Sequence, residues 1–162
     1  MEGMSVHRFP IQLRFGDQDP NGHVNNVAFV QFLEEARVQL GLLPLPEDAG
    51  GPGSFRDLTG DRAAIYVARQ EIEYRAPLLH RRDPVWVDVW VTRLGSSSLS
   101  YGFRLADEDA STVYAYAEAA MVQVEAASGT PTPLTSEQRQ VLHGWLGDPV
   151  PFRAAASAGQ ER

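Results

Sequence analysis

The chain has 162 residues and a mass of 17.8 kDa, a size typical of one domain, and 43% of its residues are hydrophobic. Its net charge of −7 gives no general electrostatic support for binding nucleic acid or an anionic membrane. Cysteine is absent, which excludes disulfides, thiolate metal ligands and a cysteine nucleophile. No apolar run is long enough for a signal peptide or a membrane span, so we expect a soluble, cytoplasmic protein without a nucleic-acid or membrane partner.

The first part of the chain predicts one strand and one long helix. Residues 7–15 form a strand candidate, and a turn rich in Asp, Pro, Asn and Gly leads from it into a helix over about residues 25–40. Gly41 is a natural stop for that helix, and the Pro- and Gly-rich residues 43–60 predict a loop. The apolar residues that share one stripe of the helix are Phe29, Phe32, Leu33, Ala36 and Leu40.

From residue 63 onward the apolar pattern changes to a period of two. This alternation predicts strands around residues 71–75 and over residues 85–92, 98–105 and 114–124. A long helix followed by successive antiparallel strands indicates an α+β fold in which a curved sheet wraps around the helix.

The last part of the chain predicts a short helix and a tail. Thr135 and Gln138 have the spacing of a capping box and open the helix. The small and polar residues that follow have little to bury. We therefore predict a single domain over residues 1–147 and a disordered tail over residues 148–162.

The turn at residues 14–26 concentrates the side chains that could carry chemistry. It holds two carboxylates, an imidazole and carboxamides directly ahead of a helix, where backbone N–H groups lack intrahelical partners and the helix dipole adds partial positive charge. Such a position stabilises an oxyanion beside a carboxylate that can act on water. The same residue types are also ordinary turn formers, and Asn25 is a good helix N-cap.

This string resembles the first motif of the hotdog-fold acyl-CoA thioesterases of the 4-hydroxybenzoyl-CoA thioesterase type. In that family a basic-aromatic strand end is followed by Asp-x-Asp-x-x-Gly and, in many members, by His-Val-Asn-Asn. Residues 32–37 resemble the helix of the same group, and residues 71–78 resemble the strand and turn before its hairpin, so the similarity spans roughly residues 8–125. The resemblance implies a hotdog fold, a curved antiparallel sheet around a long central helix, and an acyl-CoA thioesterase that requires no metal and no redox cofactor.

The resemblance also implies roles for residues of the turn. Asp19 matches the family position whose carboxylate acts on the thioester as general base or as nucleophile. The backbone N–H of Asn26 matches the oxyanion donor. His23 is open between a catalytic role and a structural one, because an imidazole titrates near neutrality but also fixes turns. Asp17 is expected to support the turn or to pair with Arg14.

Further residues are candidates for substrate binding. Coenzyme A carries phosphates, which favour arginine, so Arg75, Arg81 and Arg82 near one strand end are plausible contacts. Ser97 is a candidate for contacting the nucleotide across a subunit interface. The helix start adds Asn25, and Val30 together with its neighbours Phe32 and Leu33 is predicted to face the sheet or to line an acyl tunnel.

Three alternatives remain open at this point. Glu34 or Glu35 could be the catalytic carboxylate, since other hotdog thioesterases place it on the helix. The protein could instead be a hotdog enoyl-CoA hydratase or dehydratase, or a non-catalytic module that binds acyl-CoA or an acyl-carrier protein. The family pairs its sheets edge to edge and shares the active site between subunits, so we expect a homodimer or homotetramer.

Overall fold

The computed structural model describes residues 5–46 and 53–153. The chain begins with strand β1 (His7–Ile11), a single 3₁₀ turn (Phe15–Asp17) and the long helix α1 (Asn26–Leu42). A short helix α2 (Phe55–Thr59) and four strands follow, namely β2 (Ala63–Tyr74), β3 (Val85–Leu94), β4 (Ser98–Ala106) and β5 (Val113–Glu125). A last helix, α3, covers Ser136–Gly144.

The five strands form one antiparallel sheet in the order β1-β3-β4-β5-β2. Helix α1 packs on the inner face of this sheet over β1 and β3. The predicted apolar stripe of α1 is buried there, against the alternating residues of the strands. The core residues of β3 that face the helix are Val85, Val87, Val89 and Val91. The predicted α+β architecture is therefore confirmed.

Local sequence explains where the helices begin and end. Two features differ from the prediction: the end of α1 and the presence of α2. Helix α1 continues through Gly41 to Leu42, since glycine lowers helix stability but does not block the helix as the following Pro44 does. The predicted loop contains α2, because Ser54 and Asp57 form a capping box. The capping box predicted for α3 is present. Residues 47–52 of the predicted loop lie outside the described residues.

Residues 148–153, which were predicted to belong to a disordered tail, lie against the sheet. The indole N–H of Trp90 donates to the carbonyl of Asp148 at 2.7 Å, and the Arg75 guanidinium donates to the carbonyl of Pro151 at 2.9 Å. Val150 is buried. We call residues 148–153 the strap. Composition did not reveal the strap because one apolar side chain and a few backbone carbonyls are enough to dock it; residues 154–162 lie outside the described residues.

Strand β2 forms one edge of the sheet and pairs with β5 on one side. Three of its large hydrophobic side chains are exposed to solvent: Tyr66 is 57% exposed, Val67 is 41% exposed and Tyr74 is 47% exposed. Helix α1 packs chiefly on β1 and β3, and the middle of β2, residues 66–71, is exposed beside it. We call this open region the seam. Within the described part of the chain, no helix is long and apolar enough to cross a membrane.

Candidate active site

Asp17 holds the turn together. The carboxylate is buried and accepts hydrogen bonds on both oxygens: Oδ1 from the Arg14 guanidinium at 2.9 Å and Oδ2 from the Arg14 backbone N–H at 2.8 Å. Its backbone carbonyl also accepts from the N–H of Asn25 at 2.7 Å, which ties the turn to the start of α1. Asp17 therefore has the structural role expected from the sequence, with no carboxylate oxygen left for chemistry.

Asp19 is half-buried and uses only one of its carboxylate oxygens within the described residues. Oδ1 accepts from the backbone N–H groups of Asn21 at 2.8 Å and His23 at 3.1 Å, an Asx-type turn. The Asp19 N–H donates to the His23 carbonyl at 2.7 Å, and Gly22 adopts a φ of 79° that closes the loop. Oδ2 makes no hydrogen bond with these residues, so a fixed and accessible carboxylate oxygen remains.

The start of α1 leaves one backbone donor open. The Asn25 side chain accepts from the N–H of Val27 at 2.9 Å, so the cap satisfies the second amide of the helix and not the first. The first amide belongs to Asn26, which is exposed and has no intrahelical partner. The helix dipole adds partial positive charge at this amide, so it is suited to stabilise an oxyanion.

A cleft of about 340 Å³ opens beside Asn26. One wall is the helix residue Phe29, whose ring meets the ring of Tyr74 edge to face at 5.2 Å between centroids. The opposite wall is the turn after β2, which is fixed by a hydrogen bond from the Val24 N–H to the Leu78 carbonyl at 2.7 Å. The exposed side chain of His23 also lines this cleft. His23 therefore lies at the cleft, and its backbone holds Asp19.

Two of the three arginines predicted to bind phosphate are engaged inside the chain. Arg75 pairs with Glu73, stacks over the ring of Tyr116 at 5.0 Å and holds the strap. Arg81 pairs with Asp107 at 2.7 Å. Arg82 is exposed, and its guanidinium makes no contact of this kind within the described residues. Arg82 is therefore the most available of the three for a phosphate.

The Arg81 pair is part of a small polar cluster. The hydroxyl of Tyr114 donates to Asp107 at 2.8 Å and lies 3.0 Å from the Arg81 guanidinium. Burial acts to raise the pKa of Asp107, but hydrogen bonds from Tyr114 and Arg81 outweigh it and hold this pKa below its ordinary value. The cluster fixes the turn after β2 to the β4–β5 hairpin.

The remaining predicted residues lie at different distances from the cleft. Val30 is half-buried on α1, one helical turn beyond Asn26. Ser97 lies in the β3–β4 turn, level with the beginning of β2, whereas the cleft lies at the end of β2. Within one chain Ser97 therefore does not reach the cleft, and its predicted role requires a second subunit.

The helix glutamates do not approach the cleft. Glu34 is 65% exposed and pairs with Arg37 at 3.5 Å. Glu35 is also exposed, and it accepts from Gln39 at 2.9 Å. Among residues 5–46 and 53–153, no group of three or more His, Cys, Asp or Glu side chains could hold a metal ion.

Sequence reasoning did not single out the aromatic walls of the cleft. Tyr74 lies in the string 71–78 that carried part of the family resemblance, and Phe29 was interpreted as a core residue of α1. The signal that could have found Tyr74 is its place at the end of a strand, directly before the turn that returns to the helix start.

Comparison with known proteins identifies the family. Residues 13–146 match the family model of the thioesterase-like superfamily, and the chain belongs to this family. Among curated protein sequences none matches the chain.

Solved structures agree with this assignment. A Pseudomonas aeruginosa protein described as a thioesterase is 32% identical, with a TM-score of 0.69, and covers 84% of this chain and 97% of its own. A Thermus thermophilus thioesterase, solved in complex with coenzyme A and zinc, is 31% identical with a TM-score of 0.68, over 92% of this chain and 99% of its own. A Xanthomonas campestris protein described as an acyl-CoA thioesterase is 31% identical with a TM-score of 0.62, over 78% and 97% of the two chains. The hotdog fold and the thioesterase class of enzyme predicted from the sequence are thus confirmed.

Proposed function

We propose that the protein hydrolyses an acyl-CoA thioester to a free acid and coenzyme A. The observation that carries this proposal is that one turn, fixed by hydrogen bonds, holds both an unengaged Asp19 carboxylate oxygen and the open backbone N–H of Asn26. Attack on a thioester carbonyl needs both a base or nucleophile and a donor for the developing oxyanion. The turn offers both without help from a metal.

Asp19 supports either of two routes. As general base, its Oδ2 accepts a proton from water while the water oxygen attacks the carbonyl carbon. As nucleophile, Oδ2 attacks that carbon itself, and water then hydrolyses the resulting anhydride. In both routes the carbonyl oxygen gains negative charge beside the Asn26 N–H, the carbon–sulfur bond breaks, and coenzyme A leaves as a thiolate that takes up a proton.

The other residues contribute binding and position. Asn25 holds the helix start, and the Phe29 and Tyr74 walls favour an apolar acyl group or pantetheine arm in the cleft. Val30 does not line the cleft, and we propose that it contacts the acyl group beyond it. Arg82 is our candidate for a phosphate of coenzyme A, because its charge is exposed and not paired within the described residues. The relative from Thermus thermophilus was solved with coenzyme A, which supports this substrate carrier for the present chain. An acyl-carrier protein remains a second carrier to test.

The working unit is proposed to be at least a homodimer. Strand β2 is a long edge with exposed apolar side chains, and exposed Val27 and Val38 lie on α1. Edge strands of this kind are usually covered, and a second β2 paired in antiparallel fashion would cover this one. That pairing also brings Ser97 of one subunit toward the cleft of the other. The cytoplasmic location stays a prediction.

A panel assay tests the proposed activity. Thiol release is measured on short, long and aromatic acyl-CoAs, with hydration of an enoyl-CoA measured alongside. We expect thiol release from at least one class and no hydration. Hydration without thiol release would replace the proposal with a hydratase, and tight acyl-CoA binding without turnover would replace it with a binding module.

A further inference from the structure

A second cavity lies at the other end of the seam from the cleft. It has a volume of about 560 Å³ and sits between the second half of α1, helix α2 and the start of β2. Phe55, Ile65 and Met121 give it apolar walls. Besides Thr59 and the exposed Arg56, Asp57 and Asp61, its polar lining contains two side chains that are largely buried, Arg37 from the helix and Tyr101 from β4. Neither takes part in the chemistry proposed for the cleft.

Tyr101 is a buried donor without an acceptor. The residue is 4% exposed, and its hydroxyl makes no hydrogen bond within residues 5–46 and 53–153. Burial raises the pKa of Tyr101, and the nearby Arg37 charge opposes this rise without cancelling it, so the hydroxyl stays protonated near neutral pH. Because the hydroxyl has no partner among these residues and Tyr101 lines the cavity, it is available to donate to a ligand atom that accepts a hydrogen bond.

The positive charge of Arg37 has only a weak ion-pair partner, although most of its side chain is buried. Its side chain is 16% exposed, and its ion pair with the exposed Glu34 is 3.5 Å long, which makes a weak interaction. The other charges at the cavity, Arg56, Asp57 and Asp61, are exposed, and Asp57 also accepts from Ser54. A mostly buried guanidinium with only a weak partner in the chain favours a carboxylate, which it binds with two parallel hydrogen bonds.

The cavity and the cleft are within reach of one substrate. From Asn26 to Arg37 the helix axis advances about 16 Å, at 1.5 Å per residue. Antiparallel pairing of two β2 strands would also place the cavity of one subunit next to the cleft of the other. An acyl group whose thioester lies at Asn26 can therefore extend along the seam to an Arg37 of its own or of a second subunit.

We propose, resting on the thioesterase function above, that this cavity binds the distal end of the acyl group and that this end carries a carboxylate. The substrates are then coenzyme A monothioesters of dicarboxylic acids. Arg37 and Tyr101 donate to the distal carboxylate, and Phe55, Ile65 and Met121 contact the methylene chain.

Matched substrates test this specificity. Thiol release is compared for hexanoyl-CoA and adipoyl-CoA, and for dodecanoyl-CoA with its ω-hydroxy and ω-carboxy counterparts. The wild-type protein should show a kcat/KM about 10- to 100-fold higher for the carboxyl-ended member of at least one length, the range expected for hydrogen bonds to a charged group. Equal values for methyl- and carboxyl-ended members at both lengths, or a preference for the hydroxyl-ended one, would overturn the proposal.

Single substitutions test whether Arg37 and Tyr101 cause the preference for a carboxyl-ended substrate. Arg37→Met should remove the preference for the carboxyl end, and Tyr101→Phe should reduce it while keeping the ring in place. Arg93→Met is the control: it removes an exposed guanidinium near the end of β3 that does not line the cavity, and it should leave the preference unchanged. If Arg93→Met removes the preference as strongly as Arg37→Met, the effect is a general one of charge and the cavity is not its origin.

A binding measurement separates this inference from the proposed activity. Thermal shift with adipate or dodecanedioate, compared with the monocarboxylates, reports on the cavity whether or not any thioester is cleaved. Stabilisation by the dicarboxylate that is lost in Arg37→Met supports the cavity inference even if the enzyme assay fails. Turnover of acyl-CoA without either dicarboxylate binding or preference would leave the thioesterase standing and reject the carboxylate subsite.

Discussion

Replacing Asp19 by Asn separates the chemical role of this carboxylate from its structural one. Oδ1 accepts two backbone N–H groups, and an asparagine oxygen can accept the same two. The new NH₂ group takes the place of Oδ2, which makes no hydrogen bond within the described residues. The free energy of unfolding should therefore change by less than about 1 kcal/mol.

The effect on turnover should be much larger. An amide can neither accept a proton from water nor attack the thioester, and general-base catalysis is typically worth about 10²–10⁴-fold. Since each factor of ten in rate corresponds to about 1.4 kcal/mol, the activation free energy should rise by about 3–6 kcal/mol. Binding of a non-hydrolysable acyl-CoA analogue should survive, because the cleft walls and Arg82 are unchanged.

Asp17→Asn is the matched control, since it makes the same chemical change two residues away. Its carboxylate is buried with both oxygens bound by Arg14, so this variant should lose roughly 1–2 kcal/mol of stability and melt several degrees lower. Its kcat, measured well below the melting temperature, should fall far less than that of Asp19→Asn. Near-normal turnover by Asp19→Asn, together with an inactive Glu35→Gln, would refute this reasoning and place the catalytic carboxylate on the helix.

The other predictions concern stability and assembly. Phe32→Ala removes a buried ring of α1 and should cost about 3–5 kcal/mol in thermal or denaturant unfolding, whereas Val38→Ala at an exposed position should cost little; equal melting of the two would show that the stripe is not the core. Val67→Lys puts a charge on the β2 edge and should shift the protein toward monomer in light scattering, unless the dimer uses another surface. A chain that ends after Gly147 lacks the strap and should melt below one that ends after residue 153; identical melting would mean that the strap contributes no stability. The pKa of Asp107 lies below its unfolded value of 3.8, so its stabilisation is present above that pH and is lost as the pH falls through the folded value; Asp107→Asn should flatten this part of the acid unfolding curve.

Much of the fold was predictable because its signals are local. The stripe that includes Phe29 and Phe32 repeats with the helical period, and the strands alternate with a period of two, so each segment shows which face it buries. The capping residues Asn25 and Thr135 lie within three residues of the amides they bind. The structure differs from the prediction at α2 and at the strap. In both segments the hydrophobic periodicity is weak, and a few contacts are enough to order the chain.

The candidate turn was likewise predictable from the sequence, because its hydrogen bonds join residues within a short stretch. Asp17 binds Arg14, and Asp19 binds Asn21 and His23, all within four positions. A local string with these donors and acceptors specifies its own loop. The amino-acid order therefore indicates the hydrogen bonds of the loop, whereas the catalytic role of Asp19 comes from the family resemblance and stays a proposal.

Only the tertiary structure decided which charged groups remain available. Arg75, Arg81 and Arg82 look alike in sequence, yet the first holds the strap and the second binds Asp107 across the β4–β5 hairpin. Tyr101 alternates like any core residue of a strand, and nothing in its pattern shows that its hydroxyl lines a cavity beside Arg37. These outcomes depend on the strand order β1-β3-β4-β5-β2, which brings distant segments together. Periodicity reports which side of a segment is buried, but not which other segment lies against it.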